Sequence, residues 1–119
     1  MLSGAYYRDA LDNLHEYSGD SRPLWIFSDE PELAKKDLYK YFSSAARFVE
    51  PPKNTPAAES MVLMSNAAAN IISNSTFSWW SAMLNQNSVV VAPTKWFKGM
   101  RDPEELIPPH WRLQESNWK

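Results

Sequence analysis

The sequence has no cysteine. A disulfide framework, a thiolate zinc site and a cysteine nucleophile are excluded together. Glycine is scarce, at three in 119 residues, and no G-x-G-x-x-G or Walker loop is present. Neither sign of charge dominates. Twelve Lys and Arg against 14 Asp and Glu leave a net charge of −2. That gives no basic footprint, so nucleic acid is not an expected partner. No apolar run approaches the ~18 residues of a membrane span. The opening stretch MLSGAYYRDALDNL lacks the charged and apolar regions of a signal peptide. The cytoplasm is the expected compartment.

What is present describes a globular chain. It is 44% apolar, 22% charged and 13% aromatic, which argues against disorder. The length suits one domain or part of one.

The pattern alternates between two periods. Tyr6, Tyr7, Ala10, Leu11 and Leu14 recur at three and four, which predicts a helix over 4–17 with Asp9, Asp12 and Glu16 opposite. Leu24 to Phe27 reads as a strand closed by Ser28-Asp29-Glu30-Pro31. Pro31 suits the first turn of a helix reaching about Tyr41. Residues 46–49 give a second strand, and a polar loop with prolines follows. Residues 57–68 read as a helix, 70–73 as a short strand and 77–84 as a buried helix. Residues 88–92, SVVVA, are the clearest strand. The tail beyond Pro93 reads as ordered loop with at most a short helix over 103–106. Short apolar strands between helices imply α/β architecture, with a parallel sheet covered on both faces.

The informative stretch is MVLMSNAAANIISNSTFSWWSAMLN, residues 61–85. Its polar turn places Ser75 and Thr76 at the start of a helix and Ser78 within its first turn. Helix N-termini offer unpaired N–H groups, and parallel sheets receive ligands at the carboxyl ends of their strands. A phosphate could be held there, or Ser75 or Thr76 could serve as a cap alone. No Lys or Arg lies between Lys53 and Lys95, so a local cation would have to come from elsewhere. Trp79-Trp80 could form a sugar platform, but burial is the expectation. Met61 and Met64 are expected in the core. Asp29 and Glu30 end a strand, as ligand acceptors or as caps. His15 and His110 lie in no hydrolase or metal-ligand context. Asn74-Ser75-Thr76 matches the glycosylation triplet, at a turn expected to be buried.

These residues resemble a known family. NSTFSWW, preceded by LMS and II and followed by WFKGMRDPEELIPPHW, is similar to the C-terminal part of the α-1,2-fucosyltransferases of glycosyltransferase family 11. IFSDE resembles that family's strand end and YYRDAL its preceding helix. The resemblance runs from about Tyr6 to Trp111. It implies a partial Rossmann-like parallel sheet with flanking helices, the donor-binding half of a GT-B transferase. Residues 1–119 would be a single partial domain, the later part of the GDP-fucose-binding domain. It implies an inverting, metal-independent transfer of fucose from GDP-fucose to the 2-hydroxyl of a galactoside. The nucleotide sugar is then a substrate, and no cofactor is expected.

By the same resemblance Asn74, Ser75, Thr76, Phe77 and Ser78 belong to the donor site, with Asp29 near it. The family carries an acidic residue suited to guanine where Ser60 stands here, beside Glu59. A family Cys and His are replaced near Ala67 and Ala69. The family's H-x-R-R-G-D segment, with its phosphate-neutralising arginine, is expected upstream of Met1, as are the acceptor half and the general base. No catalytic residue is assigned. Contact with a missing N-terminal half is expected, and a peripheral membrane association of the whole enzyme is left open. The alternative is a non-catalytic, truncated nucleotide-binding or partner-binding domain.

Overall fold

A computed structural model describes residues 2–18, 24–28, 31–42, 46–49, 57–84, 89–99, 102–103 and 106–118. The elements are α1 (Gly4–Ser18), β1 (Leu24–Ile26), α2 (Pro31–Phe42), β2 (Ala46–Phe48), α3 (Ala57–Ser65), β3 (Ala69–Ile71), α4 (Thr76–Leu84), β4 (Val89–Pro93) and β5 (Arg112–Gln114). The protein is α/β, and its strand ladders are all parallel. Each sequential pair β1–β2 and β3–β4 is joined through a helix, the connection that parallel neighbours need.

Two expectations are corrected. The strands do not form one sheet. Among the described residues β1 pairs with β2, and β3, β4 and β5 make a second sheet with β4 in the middle. Three-residue strands carry few ladder bonds, so pairing is secured inside each β-α-β unit rather than between units. The tail also supplies a strand where only loop and a short helix were expected. Arg112–Gln114 pairs with Val91–Pro93, and the Thr94 N–H donates to the Gln114 carbonyl at 3.0 Å. Leu106 N–H bonds the Pro103 carbonyl at 3.2 Å, a single turn, with residues 104 and 105 outside the described residues.

The core is organised by β4. Its side chains alternate across the sheet, as a period of two requires. Val91 faces α1 and packs with Leu2, Tyr6, Ala10 and Leu14. Val90 and Ala92 face α4 and pack with Ile72, Ala82, Trp96 and Trp111. Each fully buried aliphatic side chain of this kind stabilises by roughly 1.5–3 kcal/mol. Spacings of four place Tyr6, Ala10 and Leu14 on one stripe of α1, which explains why that helix lies on the sheet.

Helix α3 behaves differently. It packs along α4, while Val62 and Leu63 are each 55% exposed. Met61 and Met64, expected in the core, are only half-buried. Trp80, also expected inside, is 50% exposed. A nine-residue apolar helix cannot bury its whole circumference against one neighbour. Among the described residues no helix is long and apolar enough to cross a membrane.

Candidate functional site

The site is built on the junction of β3 and α4. Strand β3 ends at Ile71, Ile72 is still fully buried in the core, and the polar run Ser73-Asn74-Ser75 turns the chain into the helix. Ser75 is the N-cap. Its carbonyl accepts from Trp79 N–H at 3.0 Å, and its Oγ accepts from Ser78 N–H at 3.1 Å. The three serine hydroxyls converge. Ser75 Oγ donates to Ser78 Oγ at 2.9 Å, and Ser73 Oγ lies 3.3 Å from Ser78 Oγ and 3.4 Å from Ser75 Oγ. Thr76 is exposed, and Phe77 and Ser78 are half-buried. Among the described residues the Thr76 and Phe77 N–H groups have no hydrogen-bond partner. Together with the helix dipole they form a small electropositive mouth lined by hydroxyls.

Helix α1 supports this mouth from below. Tyr6 donates its hydroxyl to the Ile72 carbonyl at 2.7 Å. Burial, with Tyr7 adding to it, pushes the Tyr6 phenol far above the usual tyrosine range. Burial also raises Tyr7, and a hydrogen bond with the Ser73 side chain pulls it back in part. Both phenols therefore stay neutral and able to donate at physiological pH. In the sequence Tyr6 and Tyr7 read only as part of an apolar helix face. A pair of tyrosines on a buried stripe is the signal that could have pointed to buried hydroxyls in need of partners.

Asn74 serves a structural purpose. Its Nδ2 donates to the Trp96 carbonyl at 3.2 Å, which ties the turn to the loop after β4. The same loop is held by Asp102, whose carboxylate accepts from Trp96 N–H at 2.6 Å and Phe97 N–H at 3.0 Å. Trp79 Nε1 donates to the Leu106 carbonyl at 2.7 Å. Thr76, Trp79, Trp80, Trp96 and Leu106 line an open cleft of about 180 Å³ beside the mouth. Sequence reading missed Asp102 and Leu106, because only the fold brings that loop beside α4.

Two of the remaining candidates lie on α3. Glu59 is exposed and Ser60 half-buried in the first turn of α3. Among the described residues no hydrogen bond links either of them to the Ser73–Ser78 cluster. Asp29 and Glu30 lie outside the described residues. Among the described residues no group of three His, Asp or Glu side chains could hold a metal ion.

Comparison with known proteins bears on this geometry. The family model for glycosyl transferase family 11 matches residues 3–114. An alpha-1,2-colitosyltransferase of Escherichia coli is 39% identical over 102 residues, covering 82% of this chain and 34% of that protein. The O-antigen biosynthesis glycosyltransferase WbnK of Escherichia coli is 35% identical over 103 residues, covering 83% of this chain and 32% of that protein. The chain thus spans about a third of the length of these relatives. No solved structure matches.

Proposed function

We propose, for a chain that belongs to glycosyl transferase family 11, that the β3–α4 junction receives the diphosphate of a nucleotide-sugar donor. The donor we assign is GDP-fucose, and the reaction is α-1,2 transfer of fucose to a galactoside. The observation that carries the reading is the pair of unpartnered N–H groups at Thr76 and Phe77 above a converged serine cluster. Phosphate oxygens take up such donors well, because the dipole end and the hydroxyls are already in place. The parallel β3–β4 pair supports this placement, because open parallel sheets receive ligands at the carboxyl ends of their strands and β3 leads directly into the turn.

In this reading the transfer is a direct displacement without metal. A base removes the proton from the acceptor hydroxyl, the oxygen attacks the anomeric carbon with inversion, and GDP departs. This chain contributes stabilisation of the leaving diphosphate. With no Lys or Arg from 54 to 94, that stabilisation here comes from dipoles and hydroxyls. The arginine, the base and the acceptor half are assigned to a partner segment. The lack of any Lys or Arg from 54 to 94 also favours a second reading, a domain that binds nucleotide weakly and transfers nothing.

Thr76→Glu tests the site. A carboxylate in the first turn of a helix is neutral to favourable for stability, by roughly 0.3–1 kcal/mol. It repels a diphosphate at the same place. Calorimetric titration with GDP should show binding to the unaltered chain and none to the variant, with thermal stability unchanged or higher. Equal GDP affinity in the two proteins would overturn the assignment.

A further inference from the structure

We propose that the cleft beside the N-terminus of α4 is a pyranose subsite, with the exposed ring of Trp80 as its stacking platform. The inference rests on the sugar-transfer reading above and names what occupies a separate, neighbouring surface. Trp80 is 50% exposed although its neighbours in the helix, Ser81 and Ala82, are buried. Its ring is set by Trp79, with centroids 4.9 Å apart and planes at 88°. Trp79 is itself anchored through Nε1 to the Leu106 carbonyl. On the far wall Trp96 is gripped on both sides of its peptide, by Asp102 at its N–H and by Asn74 at its carbonyl. Trp79 and Trp96 are therefore held by hydrogen bonds before any ligand arrives, which lowers the ordering cost of binding.

The chemistry of the lining selects the occupant. One face of a pyranose ring carries C–H groups and suits an indole face, and its rim carries hydroxyls. Thr76 supplies an exposed hydroxyl, and among the described residues the Trp80 indole N–H has no partner. A volume of about 180 Å³ is well below the ~300–1,000 Å³ of pockets for larger ligands. That size suits a single sugar ring better than a whole nucleotide. Thr76 also borders the phosphate mouth, so a ring in the cleft lies next to the position assigned to the diphosphate. The ring can belong to the donor, as a 6-deoxyhexose with an apolar methyl, or to the acceptor, as a hexose. Either presents the same apolar face.

Indole ¹H–¹⁵N spectra of the whole chain test this, with separate titrations of methyl α-L-fucoside, methyl β-D-galactoside and GDP. One of the glycosides should shift the Trp79 and Trp80 indole signals and leave Trp25, which is on β1, unmoved. A response to the fucoside alone assigns the donor ring, and a response to the galactoside alone assigns the acceptor. Trp80→Ala should weaken that glycoside about fivefold or more. Trp80→Leu, which keeps apolar bulk but loses the flat face and the N–H, should weaken it similarly, with Trp25→Ala as the unaffected control. No shift with either glycoside, or unchanged affinity in both Trp80 variants, would overturn the subsite. GDP binding separates the two proposals. Glycoside binding without GDP binding would retain the subsite and remove the donor site; GDP binding without glycoside binding would do the reverse.

Discussion

Ser75 shows how one side chain can meet a local need and a functional one together. Its Oγ satisfies the Ser78 N–H, so the helix start is stable while the Thr76 and Phe77 N–H groups stay available. Ser75→Ala should cost about 1 kcal/mol of stability, read as a lower urea midpoint with unchanged slope. Tyr6 is a second case, because its phenol is buried and bonded to a main-chain carbonyl. Its pKa is raised on folding, so the folded state holds this proton more tightly than the unfolded state. The stability this contributes is intact below the unfolded value of ~10 and is lost as pH rises beyond it. Alkaline denaturation followed by circular dichroism should begin above about pH 10. Tyr6→Phe should lower stability at neutral pH and make the alkaline dependence shallower. An identical pH profile in the variant would show that Tyr6 does not carry this dependence.

At the scale of elements, the contact between α1 and α2 matters because α1 supports the site. Gly4 opens α1 against Tyr41 and the backbone of α2. A Cβ there would sit 2.5 Å from Tyr41 Cε2 and 3.1 Å from the Asp37 carbonyl oxygen. The tyrosine ring can swing aside, but the carbonyl cannot. Gly4→Val should therefore push the helices apart and destabilise by about 1–3 kcal/mol, measured by thermal melting. The α3–α4 pair is the opposite case, since its outer surface is left open. Val62, Leu63, Trp80 and Leu84 are all at least half exposed. That distribution explains why residues with a core composition, Met61 and Met64 among them, do not form a core within this chain.

For the molecule as a whole, the described residues form two small parallel sheets, with an apolar α3–α4 surface left exposed. The chain spans about a third of its curated relatives, and its candidate site holds an N-terminal dipole and converged hydroxyls. Incubated with radiolabelled GDP-fucose and lactose, this chain alone should give no fucosylated product above background. Turnover at high protein concentration would show that the acceptor proton is removed by a residue within it.

Most of the elements were legible in the residues alone, because periodicity is a local property. The stripe of Tyr6, Ala10 and Leu14 made α1, the run of valines made β4, and the Ser75-Thr76 pair announced the start of α4, with the structure selecting Ser75 as the cap. The NSTFSWW string also carried the family, since the chemistry of a polar turn between a strand and a helix is written in consecutive residues. Only the tertiary structure decided which residues meet over long separations. It brought Tyr7 to Ser73, Asn74 to the carbonyl of Trp96, and Leu106 to the indole of Trp79. It turned residues 112–114 into a strand, because an edge of β4 was free to pair with a segment that has little strand character of its own. It left Trp80 in solvent, because burial depends on whether a neighbouring element covers that side of the helix, and no periodicity in the sequence states that.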